Sequence, residues 1–177
     1  MPSPVGHALG GVIVGLLTEP SPRWDRTSWT FAALALAGIG PDVDFLWGRH
    51  AAETHSVGAT VIVGLLVLAI TRGTQARLAI AVALAWGSHV FFDWLGSDTT
   101  PPIGVMALWP FTDAYYFAHA YWFDSISRRY WLPGFWTHNL LAVVREVMIL
   151  GPIVAFLVWM RVRRGGALAP PSDRRRA

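Results

Sequence analysis

Five apolar runs, at about residues 4–18, 28–40, 56–70, 77–95 and 139–160, dominate this chain. The last two reach the roughly 20 residues that a helix needs to cross a bilayer, whereas the first three are of a length that also suits buried core helices. Composition decides between these readings. Of 177 residues, 54% are hydrophobic and only 14% charged, against roughly 45–50% and about 25% in an average soluble domain. The ten tryptophans point the same way, because indole rings favour the membrane–water boundary. The expected fold is all-α, a polytopic membrane bundle of about five spans, and an ordinary soluble enzyme is disfavoured. The chain has no Cys, which removes disulfides, thiolate zinc sites and cysteine nucleophiles. All fourteen basic residues are Arg, which removes lysine chemistry.

The first run carries Gly6 with Gly10 and Gly11 with Gly15 at i,i+4 spacing, the small-xxx-small pattern that lets helix backbones approach closely in lipid. No basic residue precedes that run, so it does not read as a cleaved signal. Arginine bias sets the orientation. Ten arginines (Arg23, Arg26, Arg72, Arg77, Arg161, Arg163, Arg164, Arg174, Arg175 and Arg176) fall at one set of span ends, and Arg49, Arg128, Arg129 and Arg145 at the other. Five alternating spans then place the N-terminus outside and the C-terminus in the cytoplasm. Residues 1–164 form the membrane domain, and 165–177 a disordered Arg-rich cytoplasmic tail.

That alternation has a consequence for the polar residues. His7, Asp42, Asp44, His50, His55, His89 and Asp93 come from four segments, yet all fall at the outer, Arg-poor ends. Ionisable groups at membrane depth are expensive and default to a functional reading. His89 and Asp93 stand i,i+4 on one helix face, and imidazole beside carboxylate suits a divalent cation such as zinc. Asp42 and Asp44 follow Gly40-Pro41, where a helix must stop. In an extended segment they would face opposite sides, so both serve one site only if the chain turns or two ions are bridged. The expected ligands are His7, Asp42, Asp44, His55, His89 and Asp93, more than one tetrahedral ion holds, so two ions are plausible. Segment 96–137 holds twelve of the 23 aromatic residues, and a structureless loop of that size is unusual. A short interfacial aromatic helix over about 112–128 is expected, with Arg128 and Arg129 near lipid phosphates.

These residues also resemble a family, the bacterial membrane-bound metal-dependent hydrolases known as YdjM-like inner-membrane hydrolases. The likeness rests on Gly6-His7 through Gly15, on Pro41-Asp42-Val43-Asp44 and on Thr54-His55-Ser56 five residues after a His. It continues from His89-Val-Phe-Phe-Asp93 through Pro102-Ile-Gly104 to Trp109-Pro110-Phe111. The family pattern reads His-Arg before the Thr-His-Ser triplet; here Ala51 follows His50, and Arg49 precedes it. The resemblance implies a bacterial inner-membrane location. Through the likeness of its His and Asp pattern to zinc-dependent phospholipases C, it also implies cleavage of a phosphoester, lipid or small molecule.

The chemistry that fits is hydrolysis by metal-activated water. A surplus carboxylate, Asp44, would serve as general base, with Glu53 and His50 as further candidates. Arg49 and Arg145 are the candidate substrate-binding cations, although an Arg so placed more often snorkels. The competing reading is a metal-binding transport, sensor or scaffold protein. A transporter should carry polar groups through the full membrane depth, and the run from Val57 to Ile70 contains no charge. No continuous basic patch calls for nucleic acid.

Overall fold

The first helix, α1 (Pro4–Thr18), buries Gly6, His7, Gly10, Gly11 and Gly15, so the small-residue stripe is its packing face. A Cβ added to Gly11 would sit 2.1 Å from the Leu34 carbonyl oxygen of α2 (Trp24–Ile39), and one added to Gly38 of α2 would sit 2.4 Å from the His7 carbonyl oxygen. Backbone therefore lies on backbone along this pair, as small residues permit in lipid. The computed structural model describes residues 1–18 and 24–167, with backbone alone at 24–28 and 164–167.

At the end of α2 the chain tightens into a 3-10 helix, Gly40–Trp47, with Pro41 in its first turn and Gly48 closing it at φ 73°. A loop leads to α3 (Val57–Ile70), α4 (Ala76–Leu95) and, after a long crossing segment, α5 (Phe135–Ala167). α1 packs on α2, α4 and α5, while α3 packs on α4. Small side chains again set the spacing, and Leu34, Ala81 and Ala85 form one buried cluster. In α3 no residue is buried, and Leu65, Leu66 and Ile70 are more than half exposed. Such a surface would be untenable in water and is ordinary against hydrocarbon.

Among the described residues, three helical stretches are long and apolar enough to cross a membrane: Trp29–Trp47, Ala76–Leu95 and Phe135–Arg163. Pro4–Thr18 and Val57–Ile70 are shorter apolar helices. At 33 residues α5 is roughly 50 Å long, well beyond the roughly 30 Å hydrocarbon core. It runs through Gly165 and Gly166 to Ala167, so the first three residues of the expected tail continue the helix. The remainder of that tail, with Arg174, Arg175 and Arg176, lies outside the described residues, as does Arg23.

One expectation is corrected. Residues 112–128 form no helix. Their backbone is spent on other partners: Val105 and Tyr116 exchange two hydrogen bonds, Ala118 N–H donates to the Trp94 carbonyl, Trp122 N–H to Leu95 and Ile126 N–H to Met1. The aromatic segment is an irregular strap stitched across the C-terminal end of α4 and the start of the chain. Its compactness comes from these pairings, which a propensity argument over an isolated segment cannot see.

Candidate metal centre

His7 lies in the first turns of α1, Gly38 in the last turn of α2, His55 just before α3, and His89 and Asp93 in the last two turns of α4. The antiparallel course of the helices brings these points to one end of the bundle. Asp42 and Asp44 join them because the chain turns. In a 3-10 helix each residue advances the side chain by about a third of a turn, so Asp42 and Asp44 point about 120° apart rather than to opposite sides, and they meet the two different nitrogens of His55.

Four donor atoms meet at the centre. His89 Nε2 lies 3.0 Å from His55 Nε2 and 3.1 Å from Asp93 Oδ2. His55 Nε2 lies 3.3 Å from the same Asp93 oxygen, and Asp42 Oδ1 stands 3.7 Å from both imidazole nitrogens. Ligands held tetrahedrally at the ~2.0–2.1 Å of a zinc–nitrogen bond lie roughly 3.3–3.4 Å apart, within the span observed. The fit can be tested further on the hydrogen bonds. His89 Nδ1 donates to the Gly38 carbonyl at 2.7 Å, which turns Nε2 towards the centre, 3.0 Å from His55 Nε2. Both carboxylate oxygens of Asp93, buried at the centre, lack a partner in hydrogen-bonding geometry, although three imidazoles approach within 3.3 Å. Buried polar atoms without partners are costly, and these point at one another. The residues fit a divalent cation.

His7 is the third imidazole. Its ring stacks on that of His89, with centroids 3.5 Å apart, and its Nε2 approaches the other Asp93 oxygen, Oδ1, at 3.3 Å. Asp93 thus offers one oxygen to His7 and the other to His55 and His89.

Asp44 lies on the far side of His55. With Asp42, His50 and His55 it forms a second group whose donor atoms are within 4.8 Å of one another and could hold a metal ion, beside the group His7, His89 and Asp93. Its Oδ2 accepts from Thr54 Oγ1 at 2.8 Å and lies 3.1 Å from His55 Nδ1, and its Oδ1 lies 3.1 Å from His50 Nδ1. A carboxylate behind a ligating histidine fixes tautomer and ring orientation. Burial disfavours a charged His55, yet its contacts with Asp42, Asp44 and Asp93 raise its pKa well above the usual imidazole value, so the cluster as a whole attracts positive charge. The Thr-His-Ser triplet resolves into three tasks. Thr54 binds Asp44, His55 faces the centre, and Ser56 caps α3, its Oγ accepting from Ala59 N–H at 3.0 Å. Between them Trp86 Nε1 donates to the Thr54 carbonyl at 2.8 Å.

Asp42 and His50 are the two cluster residues that remain partly exposed, at 19% and 18%. They form part of the wall of a cavity of about 1250 Å³, which Arg49, Tyr115, Arg128 and Arg129 also line. The loop beneath is tense, since Ala51, next to His50, is buried with φ 64°, a left-handed conformation that costs a non-glycine residue about 1–2 kcal/mol.

The structure does not bring every expected residue to this point. Glu53 pairs with Arg49 at 2.8 Å on the loop surface. Arg145 pairs with Asp124 at 2.8 Å and donates to the Tyr121 carbonyl, so it fastens the strap rather than facing the cluster. One residue escaped the sequence reading altogether. Glu146 of α5 is fully buried and accepts both the Ser3 backbone N–H, at 2.6 Å, and the Ser3 hydroxyl. Ser3 caps α1, its Oγ accepting from the Val5 and Gly6 amides. In a capping box the third residue of the helix would return a Glu to the cap. That position is Gly6, and the Glu arrives from another helix. The available signal was Glu146 itself, the single acidic residue of a 33-residue apolar helix.

Compared with known proteins, the chain matches the family model described as YdjM inner membrane protein over residues 1–167. No curated protein and no solved structure matches it.

Proposed function

The chain belongs to the YdjM inner membrane protein family, and from that premise we propose that it is an integral-membrane, metal-dependent hydrolase acting on a phosphoester at the outer membrane face. The observation that carries the proposal is the convergence of His89 Nε2, His55 Nε2, Asp93 Oδ2 and Asp42 Oδ1, with 3.0–3.7 Å contacts made through the two imidazole nitrogens, and with Asp42 also lining a cavity large enough for a substrate. His55, His89, Asp93 and Asp42 would hold the cation, zinc by the chemistry of the donors. His7 with the second Asp93 oxygen would extend the site towards a second ion. A cation held there would supply Lewis-acid activation of water, lowering its pKa to about 7, and of the phosphoryl group. His50, the imidazole on the cavity wall, would be the group placed to take up a proton: Asp44 lies 3.1 Å from its Nδ1, and Met1 Sδ, 3.0 Å from its Nε2, would have to give way to free that nitrogen. Asp44 in this reading positions His50 and His55 and is not itself the base. Glu53 has no part. The outer-face assignment rests on the arginine distribution, ten at the far span ends against four at these.

A second reading, a non-catalytic structural metal centre, is favoured by the burial of His7, Asp44, His55, His89 and Asp93, none more than 1% exposed, because structural sites are closed. One experiment separates them. Protein purified in detergent is analysed for metal and assayed on generic phosphodiesters and phospholipids, with His89→Ala and Asp93→Ala as controls. Stoichiometric metal with chelator-sensitive turnover, lost in both variants, supports the hydrolase. Bound metal without turnover leaves the structural centre, and absence of metal sinks both.

A further inference from the structure

We propose that Arg128, with Arg129 beside it, forms an anion subsite that holds a phosphate group of the ligand against the wall made by Asp42 and His50. Naming the ligand rests on the hydrolase reading; the subsite itself does not. Both arginines line the cavity into which Asp42 and His50 open. The Arg128 guanidinium carbon lies 4.0 Å from the centre of the Phe45 ring, and that ring stacks on His50 with centroids 4.0 Å apart. The Arg128–Phe45 contact is in the range where cation and aromatic face attract, and it keeps the guanidinium within about 8 Å of the His50 ring centre. Stacking fixes the plane of the group and leaves its N–H edge free for the paired oxygens of a phosphate or carboxylate.

The charges around it are spoken for. Arg49, the third arginine of the cavity, is paired with Glu53. Asp98, also in the cavity wall, accepts from the Thr100 and Gly104 amides at 3.1 and 3.0 Å. Arg128 and Arg129 make no ion pair with a carboxylate among the described residues, although the Asp42 and Asp98 carboxylates line the same cavity. Two neighbouring guanidiniums on one cavity wall suit a dianion better than a single carboxylate charge. The volume exceeds a bare phosphate several-fold, and Leu132 and Phe135 in the lining give the remainder of the molecule an apolar wall. A lipid headgroup and a free phosphoester present the same chemistry.

The test uses the full chain, metal-loaded, in maltoside detergent, with inorganic phosphate as the probe in equilibrium dialysis. Arg128→Gln should weaken phosphate binding by at least roughly tenfold, and Arg128→Lys should restore only part of it, since lysine keeps the charge but not the planar fork. Metal content should not change. Unaltered phosphate binding in an Arg128→Gln/Arg129→Gln variant overturns the subsite, as does a wild type that binds no phosphate. So does an equal loss in Arg163→Gln, which removes the same charge at the other end of α5. Mixed micelles with phosphatidic acid then distinguish the sources: Arg128-dependent competition with phosphate identifies a lipid ligand, and its absence a soluble one. Arg128-dependent binding without turnover would end the hydrolase reading and keep the subsite, whereas turnover indifferent to Arg128→Gln would do the reverse.

Discussion

Gly6→Ala places a methyl group between α1 and α5, and its cost can be worked from the geometry. The new Cβ would lie 2.8 Å from Glu146 Oε2 and 3.0 Å from its Cδ, roughly 0.5–1 Å inside ordinary contact distance. A free carboxylate would swing away. This one is fully buried and held by the Ser3 amide and hydroxyl, so yielding means giving up hydrogen bonds to a charged group, worth about 1.5–3 kcal/mol each. Overpacking alone costs about 1–3 kcal/mol, against up to about 1 kcal/mol gained because alanine is the better helix former. A net loss of about 2 kcal/mol lowers the melting temperature by roughly 4–8 °C for a chain of this size. His7 is the adjacent residue, and metal affinity should fall by about tenfold, the lower range for disturbed outer-shell support. The assay is a double-mutant cycle with Glu146→Ala, which opens the space the methyl needs. Thermal unfolding in detergent should give a coupling of about 1–3 kcal/mol, with Gly6→Ala nearly harmless in the Glu146→Ala background. Additivity within about 0.5 kcal/mol would mean that the two residues do not touch, and the cross-helix cap would be refuted.

Other outcomes follow from the same geometry. Thr54→Val removes the hydroxyl that donates to Asp44 and should lower metal affinity by about 10–100-fold, read by chelator competition. Ser56→Ala loses the α3 cap and should cost about 1 kcal/mol of stability with metal content unchanged; a loss of metal would make Ser56 more than a cap. His55, whose pKa is raised in the metal-free protein, carries a proton at pH 7 that uptake must displace. Apparent affinity should therefore rise with pH until that raised value is passed, and calorimetry in buffers of different ionisation enthalpy should register the proton released.

The members of the metal cluster were legible because two regularities act together. Alternating spans assign each segment end to a face, and i,i+4 spacing fixes which side chains share a helix side, so His7, Asp42, His55, His89 and Asp93 could be gathered without coordinates. The Gly6-to-Gly15 stripe was legible for the same reason. Roles were harder to read. Whether Asp44 faces the centre or backs His55 depends on a 3-10 turn whose pitch no spacing rule reveals. Arg145 and Glu146 are sequence neighbours about 100° apart on α5, and burial, not charge, decides which one meets the cluster's support. The strap over 112–128 resisted reading because its backbone partners, Trp94, Leu95, Val105 and Met1, are mostly distant in sequence.

Ser3 and Glu146 are 143 positions apart. A nascent chain that has made only its first four helices already contains every proposed ligand, yet lacks the carboxylate that clamps the opening turn. Assembly of the proposed centre should then depend on completion of the last helix during biosynthesis. Ribosome-bound chains halted before Phe135 should take up metal less tightly than chains halted beyond α5, and equal uptake by both would break that coupling.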